Sequence, residues 1–265
     1  MLVWSSQGRA WARGILLLCF GLIYGMPLAT IALASVAGEW DAVLPSKLTL
    51  IHYGHALSGE AAEQLRASVM TGAIASLVAL IAGAWAALAL RTMQVVPRHV
   101  LDMLFFVPNA VPSVSVGLGL LVAFSRPPVL LNGTTFIVVI AHLVLISAFT
   151  YGNVSAGLSR LPPDVEQVAE SLGATPAYRL RRVTLPLLTP YLLAAFSLSF
   201  AMSMGELGAT VMVYPPGWVT MPVGIFALTD RGAAFDGAAL TMVLAAATLL
   251  VLLGLSRVPS SASSR

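Results

Sequence analysis

Residues 166–173 have the sequence Glu-Gln-Val-Ala-Glu-Ser-Leu-Gly, and after nine further residues 183–186 have the sequence Val-Thr-Leu-Pro. Apolar residues recur here at i, i+3, i+4 and i+7, and they are Val165, Val168, Ala169 and Leu172. This spacing predicts a short amphipathic helix with one apolar face. That face either packs against the rest of the chain or fills a groove on a partner protein.

The ends of this helix carry sequence signals of their own. Asp164 is positioned to cap its start, with Gln167 three residues later in a capping-box arrangement. Gly173 can adopt the left-handed backbone conformation that ends a helix. Thr175-Pro176 then opens a second helix, with proline at its first position, that runs through Arg182. We therefore expect two short helices within residues 158–189.

Apolar sequence surrounds this segment on both sides. Of the 265 residues, 58% are apolar without counting glycine, and only 9% are charged. Soluble domains have roughly 45–50% apolar residues with glycine included, and roughly 25% charged residues. So few charges cannot cover the surface of a soluble fold of this size, and disordered chains are poor in apolar residues. The composition predicts an integral membrane protein.

Seven stretches of 20–33 uncharged residues are long enough to cross a bilayer, which takes ~20 residues. The sixth has Tyr-Pro-Pro-Gly-Trp at 214–218 in its middle, and such residues would break a lipid-exposed helix. We therefore predict that 213–236 is an external loop with a short interfacial or re-entrant piece. The six predicted spans of this all-α membrane protein, treated as one domain over 1–265, are 14–37, 67–90, 103–125, 134–157, 190–212 and 237–256.

The basic residues predict the orientation. With the N-terminus inside, ten arginines fall in cytosolic segments, whereas the external segments carry four basic residues, Lys47, Arg66, Arg126 and Arg231. This bias agrees with the rule that basic loops stay inside, and it places both termini and 158–189 in the cytosol. A seven-span arrangement would move Arg257 and Arg265 outside and weaken the bias only slightly, so the double proline weighs more than the charge count.

The segment 166–186 resembles the EAA loop of binding-protein-dependent ABC importer permeases, whose pattern is Glu-Ala-Ala, three residues, Gly, nine residues and Ile-x-Leu-Pro. The residues that match this pattern are Ala169, Gly173, Leu185 and Pro186. The residues that depart from it are Gln167, Val168 and Val183, and Glu166 can supply the acidic contact instead. The resemblance covers roughly 48–256 and implies the six-helix fold of type I importer permeases.

The segment Gly205-Glu-Leu-Gly-Ala-Thr210 is similar to the permease subgroup that serves molybdate, sulfate, thiamine, iron and 2-aminoethylphosphonate. Residues 211–218 and 225–232 most resemble the 2-aminoethylphosphonate permeases. The resemblance implies a permease subunit that passes 2-aminoethylphosphonate, or another solute of this subgroup, from an external binding protein into the cytosol.

ATP hydrolysis is expected on a separate subunit. The sequence lacks a Gly-x-x-x-x-Gly-Lys-Ser/Thr phosphate loop, because its single lysine is Lys47 in Pro-Ser-Lys-Leu. The resemblance implies that cytosolic ATP-binding cassette subunits carrying ATP and Mg²⁺ dock on 158–189, and that a second permease subunit, of the same or a related chain, pairs with this one in the bacterial inner membrane. No cofactor and no nucleic acid is expected on this chain. The expected coupling residues are Val165, Glu166, Gln167, Val168, Ala169, Leu172, Gly173, Arg181, Arg182, Leu185 and Pro186.

Polar residues within the predicted spans are candidates for the translocation path. Glu206, near the external end of the fifth span, either lies on the path or its gate, or caps the helix end or reaches lipid headgroups. We expect His142 to be a neutral histidine that is hydrogen-bonded to a neighbouring helix, with a proton relay as the alternative. Asn109, Ser113 and Thr210 are further candidates, with helix packing as the alternative for the first two.

Two other classes of protein compete with the importer. A membrane enzyme would need paired catalytic groups, and an ion-coupled carrier would rest on one glutamate and one histidine. Sequence spacing predicts no cluster of His, Asp or Glu for a metal, and the single cysteine, Cys19, allows no internal disulfide. Co-purification with a cytosolic ATPase distinguishes the importer from both rivals.

Overall fold

The structure is a computed structural model that describes residues 6–91, 93 and 95–258. Arg265 and the two ends of the predicted domain 1–265 lie outside the described residues. The helices and strands of the described residues are α1 (Ser6–Phe20), α2 (Met26–Ala34), β1 (Ala37–Glu39), β2 (Ser46–Leu48), α3 (Ile51–Ala56), α4 (Gly59–Arg91), α5 (Val95–Ala110), α6 (Ser113–Ala123), α7 (Thr135–Arg160), α8 (Pro163–Ser171), α9 (Pro176–Arg179), α10 (Leu185–Met204), α11 (Thr210–Val213), α12 (Met221–Asp230) and α13 (Ala234–Ser256).

The prediction of an all-α polytopic membrane protein with six spans is confirmed. The helical stretches of the described residues that are long and apolar enough to cross a membrane are Gly8–Ala34, Gly59–Arg91, Thr135–Arg160, Pro176–Met204 and Ala234–Ser256. Val100–Ala110 and Ser113–Ala123 pass the same test together across a bend of 100°, and the count is six when this pair is taken as one broken span. Helix α12 has only ten residues, which agrees with a short piece within 213–236.

The third and fifth predicted spans differ most from the observed helices. The span predicted at 103–125 is broken between α5 and α6, because Pro112 has no N–H to donate and disfavours helical geometry at Val111. The span predicted at 190–212 ends at Met204 instead, and its helix begins much earlier, at Pro176. The helix stops where two glycines occur within 205–208, since glycine is a poor helix former.

Two π-helical turns lie within the spans, at Gly21–Gly25 and Leu180–Thr184. Two residues after each turn comes a proline, Pro27 and Pro186 respectively. A proline inside a helix removes one hydrogen bond and its ring crowds the carbonyl four residues earlier, so a wider turn relieves the clash. The prolines therefore explain why these two spans contain a π turn and still continue as helices.

Two compact units divide the chain. The first contains the described residues up to Ala62 together with Gly224–Ala245. In this unit β1 pairs with β2 antiparallel, with Ala37 opposite Leu48. The predicted first span, 14–37, is therefore three residues too long, because α2 ends at Ala34. Three-residue strands carry too little alternation to be detected in the sequence.

The second unit contains Glu63–Val223 and the described residues from Ala246 onward. Within it, α4 buries mostly small residues, which include Ala67, Ser68, Thr71, Gly72, Ala75, Ser76, Ala79, Gly83 and Ala87. A Cβ atom on Gly83 would lie 2.7 Å from the Thr150 Oγ1 of α7, and one on Gly72 would lie 3.2 Å from the Phe200 ring of α10. Small residues thus allow the three helices to approach closely, as is typical of helix packing in membranes.

Candidate functional site

Helix α8 lies in the predicted segment 158–189, but the link between the spans is shorter than predicted. Helix α7 continues to Arg160, and the second predicted helix runs from Pro176 through the π turn into α10. Its predicted start is confirmed, because Pro176 lies in the first turn and Thr175 Oγ1 accepts the Tyr178 N–H at 3.4 Å. Only residues 161–175 therefore connect the fourth span to the fifth.

The two ends of α8 differ in how well the sequence predicted them. The capping box is wrong, because Pro162 occupies the cap position and Asp164 lies in the first turn. Gly173 ends the helix as predicted, with φ of +82°. The Ala174 N–H donates to the Ala169 carbonyl at 3.0 Å and the Gly173 N–H to the Glu170 carbonyl at 2.9 Å, the two bonds of a Schellman motif.

The apolar stripe of α8 faces away from the rest of the chain. Val165 is 40% exposed, Val168 56% and Leu172 83%, and Ala169 is half-buried. The alternative in which the stripe packs against its own chain therefore does not hold for these three side chains. An exposed row of apolar side chains on a helix outside the bilayer is typical of a protein-binding surface.

Glu166 lies on a different face of α8 and is bonded inside the chain. Its Oε1 accepts a hydrogen bond from Arg91 Nη1 at 2.9 Å and another from Thr184 Oγ1 at 2.8 Å. Partial burial alone would raise the pKa of Glu166, but these bonds and the charges of Arg91 and Arg179 outweigh it and lower the pKa. Glu166 thus anchors α8 to the end of α4 and to the π turn, while its predicted contact with an ATPase stays a prediction.

A second ion pair supports the same attachment. Glu170, one helical turn after Glu166, pairs with Arg179 of α9. Arg181 and Arg182 are exposed, and neither has an ion pair with another described residue. The remaining expected coupling residues lie close by, with Gln167 exposed on α8 and with Leu185 and Pro186 half-buried at the start of α10. Sequence reasoning missed Arg91 and Thr184, because 75 and 18 residues separate them from Glu166.

Several path candidates meet at the break between α10 and α11, at residues 205–209. His142 of α7 is 2% exposed, and its Nδ1 and Nε2 lie 2.6 Å from Ser203 Oγ and 2.8 Å from Thr210 Oγ1. Because Ser203 lies at the end of α10 and Thr210 begins α11, the imidazole joins the helices on both sides of the break. The predicted hydrogen bond from His142 to a neighbouring helix is confirmed, and a role in transport stays a prediction.

Glu206 lies within this break, two residues after α10 ends. Its Oε1 accepts the Ala209 N–H at 2.7 Å, and its carbonyl accepts the Thr210 hydroxyl at 3.3 Å. Of the alternatives that the sequence left open, these contacts support capping of a helix end. The carboxylate is satisfied by the chain's own backbone, so the break is an ordered structure.

The bend of the third span packs against this break. A Cβ on Gly117 of α6 would lie 2.6 Å from the Ala209 carbonyl oxygen, and one on Gly208 would overlap the Ser113 hydroxyl. Gly117 is required because the two backbones approach so closely, whereas a larger residue at Gly208 would first displace the Ser113 side chain. Ser113 therefore adjoins the break, whereas Asn109 is exposed at the end of α5. The structure brings together four of the five path candidates and leaves Asn109 apart.

The segment after α11, predicted as an external loop, is partly buried against α4. Trp218 Nε1 donates to Thr71 Oγ1 at 2.9 Å, and the Met221 N–H donates to Ser68 Oγ at 2.8 Å. Thr220 and Met221 are at most 1% exposed. Pairs 147 and 153 residues apart leave no local pattern, and the small polar residues of α4 are the one signal that could have suggested them.

Apolar spans and an exposed amphipathic helix between the fourth and fifth are the features of a polytopic membrane protein with a surface for a partner outside the bilayer. The sequence profile of the family described as "Binding-protein-dependent transport system inner membrane component" matches residues 79–258. The chain belongs to this family. It is therefore a permease subunit of a transport system of the inner membrane, and the predicted resemblance to ABC importer permeases is confirmed.

Individual relatives agree with this assignment. The chain is 56% identical to the permease protein PhnV of Salmonella paratyphi A, which is named for a 2-aminoethylphosphonate transport system, over 97% of both chains. It is 28% identical to the sulfate transport system permease protein CysT of Salmonella typhimurium, over 98% of this chain and 97% of the relative. A bacterial ABC transporter involved in alginate import has the same fold, with a TM-score of 0.74, 15% identity and 97% of both chains covered.

Proposed function

We propose that this chain is the membrane-spanning subunit through which 2-aminoethylphosphonate enters the cytosol. The observation that carries the proposal is the 56% identity to a permease named for 2-aminoethylphosphonate transport, over 97% of both chains. The sulfate permease is only 28% identical over a similar length. Among the solutes of the subgroup, this difference favours the phosphonate over sulfate, and molybdate, thiamine and iron are the remaining competitors.

The energy for import comes from a pair of cytosolic ATP-binding cassette subunits, which bind ATP and Mg²⁺ and dock on α8. The exposed Val165, Val168 and Leu172 support this docking, because they offer an apolar surface that the chain leaves uncovered. Glu166 and Glu170 hold the helix to α4 and α9 through two ion pairs. A movement of the ATPase would thus be transmitted to the spans instead of being lost in a flexible loop.

A second permease subunit and an external binding protein complete the transporter, which is consistent with the description of the family. Both termini and α8 lie in the cytosol, and 213–236 faces outside, as the distribution of basic residues favours. The path passes the break at 205–209, where an imidazole and two hydroxyl groups are clustered. The carboxylate of Glu206 is bonded to Ala209, which reduces its repulsion of an anionic phosphonate.

Uptake of radiolabelled 2-aminoethylphosphonate tests the proposal in cells that lack the complete transporter and then regain it. We expect uptake to return only with this chain present, and to be abolished by excess unlabelled 2-aminoethylphosphonate but not by excess sulfate. Restored uptake of sulfate without the phosphonate would contradict the substrate. Purification of the chain without any bound ATPase, from cells that express the complete transporter, would contradict the importer.

A further inference from the structure

Two histidines and an aspartate, which sequence spacing did not connect, converge in the first unit. His52 and His55 lie one turn apart on α3, and Asp236 lies in the first turn of α13. His52 Nδ1 is 2.8 Å and His55 Nδ1 is 3.2 Å from the same oxygen, Asp236 Oδ1. All three atoms lie within 4.8 Å of one another. No local pattern reveals this cluster, because 184 and 181 residues separate its two halves.

The other side of the His52 ring determines what its Nδ1 can do. His52 Nε2 lies 3.1 Å from the Ala37 carbonyl oxygen, which can only accept, so Nε2 carries a proton. In a neutral imidazole the Nδ1 atom then presents a lone pair toward Asp236 Oδ1, which is also an acceptor. Two acceptors 2.8 Å apart repel each other unless a cation lies between them.

A metal ion satisfies both contacts of the carboxylate at once. Protons do so only with an extra proton on His52 and with the proton of His55 on Nδ1, whereas a metal ion binds the Nδ1 lone pairs of two neutral rings and the carboxylate oxygen together. A ring N–H that donates to a backbone carbonyl is the usual outer contact of a metal-binding histidine, because it fixes the orientation of the ring. The His52 side chain is 14% exposed and thus firmly held, while the more exposed His55 leaves an approach from solvent.

The donor atoms select the kind of metal. Two imidazole nitrogens and one carboxylate oxygen suit Zn²⁺, whereas Ca²⁺ and Mg²⁺ prefer sites made of oxygen alone. In a tetrahedral zinc site the ligand atoms are separated from one another by roughly 3.3 Å. Small side-chain rotations that move each ligand atom by less than about 1 Å bring the three atoms to this separation. Three protein ligands leave a fourth position for water or for a group from another molecule.

We propose that His52, His55 and Asp236 form a binding site for a zinc-class divalent cation. Bound metal joins α3 to the start of α13 and, through the bond from His52 to Ala37, fixes the hairpin formed by β1 and β2. This site is independent of the transported solute and of the ATPase. It lies in segments that the distribution of basic residues predicts to be external, where metal ions outside the cell have access.

Zinc titration of the full-length chain in detergent tests the proposal. The chain carries no histidine tag, contains Cys19→Ser to remove the one thiol, and is treated with EDTA before titration against a chromophoric zinc indicator. We expect one zinc per chain, and we expect His55→Ala to lower the affinity at least about tenfold. His55 is largely exposed, so this variant should fold normally. Bound Co²⁺ should give the visible absorption of a tetrahedral site.

Two further variants make the result decisive. Asp236→Asn keeps the size of the side chain and should also lose zinc. As the control, Glu39→Gln removes an exposed carboxylate of the same unit, one that pairs with Lys47, and this variant should bind zinc as the parent does. Zinc should raise the melting temperature of the parent and of Glu39→Gln but not of His55→Ala. If the parent binds no zinc, or if His55→Ala and Asp236→Asn bind it equally well, a proton holds the cluster together and the proposal is wrong.

Discussion

Helix α8 exposes apolar side chains, whereas the break at 205–209 buries polar ones. On α8, Val168 is 56% exposed, while Glu166 and Glu170 pair with arginines of the same chain. At the break, His142 is 2% exposed and both ring nitrogens are bonded to hydroxyls of other helices. Apolar surface outside the bilayer becomes favourable only when a partner molecule covers it. Buried polar groups are tolerated only when they are paired. The first region therefore depends on a partner, and the second is complete within the chain.

The largest effect is expected from a charge in the apolar stripe. Val168→Asp would bury an unpaired carboxylate in the groove of an ATPase, at a cost of at least about 3 kcal/mol, or more than about a hundredfold in affinity. Because the side chain is exposed in the free subunit, we expect normal membrane levels, loss of the ATPase on purification and loss of uptake. Ala177→Asp, an equally acidic change at an exposed position of α9, serves as the control. Retention of the ATPase by Val168→Asp would show that the stripe is not the docking surface.

A change at the break should lower the stability of the subunit itself and leave its binding to the ATPase intact. His142→Leu leaves the buried Ser203 hydroxyl without its imidazole partner, at roughly 1–3 kcal/mol, and leaves Thr210 with only its bond to the Glu206 carbonyl. We expect a lower melting temperature in detergent while the ATPase still co-purifies. His142→Gln, which can still bond to both hydroxyls, should lose less stability. If His142→Leu melts at the temperature of the parent, the imidazole does not hold the break together.

A smaller effect is expected at the end of α8. Gly173 has φ of +82°, and no other atom lies within 4 Å of the position that a Cβ would occupy, so Gly173→Leu costs only the backbone strain, ~1 kcal/mol or more. We expect this variant to insert normally but to transport poorly, since the stripe is no longer held at the correct angle. Gly173→Asn should retain most uptake because asparagine tolerates this conformation. Equal uptake by the leucine variant and the parent would remove Gly173 from the set of coupling residues.

Removal of the ion pair between Glu166 and Arg91, which anchors α8, should have a still smaller effect. Glu166→Gln removes the charge from a partly exposed pair, so we expect a loss of about 1 kcal/mol or less, with the ATPase still bound and uptake reduced. The double variant Arg91→Glu with Glu166→Arg should recover part of the uptake. If Glu166 instead contacts the ATPase directly, the double variant will lose the ATPase and recover nothing.

The pH dependence follows from the lowered pKa of Glu166. A carboxylate with a lowered pKa contributes its full stability above its ordinary pKa and loses that contribution as the pH falls through the lowered value. Above about pH 5 an ordinary glutamate is already ionised, so the anchor should not vary from there to neutral pH. Uptake by the parent and by Glu166→Gln should therefore have the same pH profile in this range.

A labelling experiment that leaves function unchanged tests whether 213–236, which follows the break, and α8 lie on opposite sides of the membrane. Single cysteines at Gly217 and Arg231, in a Cys19→Ser background, should react with a membrane-impermeant thiol reagent added outside the cell. Both positions are exposed, so access does not depend on unfolding. A cysteine at Leu172 should react only after the membrane is permeabilised. The reverse pattern would overturn the orientation predicted from the basic residues.

Local signals in the sequence account for the elements that were predicted correctly. The length of the uncharged stretches predicted the spans, and the spacing of Val165, Val168 and Leu172 predicted the apolar face of α8, while its exposure was left open. Gly173 and Thr175-Pro176 determined the end of one helix and the start of the next, because these residues act on their own backbone. The capping box failed for a local reason as well, since Pro163 shifted the start of α8 and left Asp164 inside the helix.

The contacts that were missed join residues distant in sequence. The pair Arg91–Glu166, the bond from Trp218 to Thr71 and the cluster of His52 with Asp236 connect positions 75, 147 and 184 residues apart. No periodic pattern in a single sequence reveals such pairs, because each of the two residues could be placed beside many different partners in the folded chain. The role of Glu206 was left open for a different reason: its bond to Ala209 spans only three residues, but a glutamate at this position is equally compatible with a gate, a headgroup contact or a helix cap.

The sequence by itself determined the long apolar helices that make this chain a membrane protein and the amphipathic helix between the fourth and the fifth of the predicted spans. These properties follow from composition and short-range periodicity, which act through the bilayer and through the helical repeat. Only the tertiary structure decided how the breaks in the third and fifth spans pack against each other, which side chains anchor α8 and which polar groups are paired. Those outcomes depend on helices approaching at Gly83, Gly117 and Gly208, and close packing of distant segments is a property of the folded chain alone.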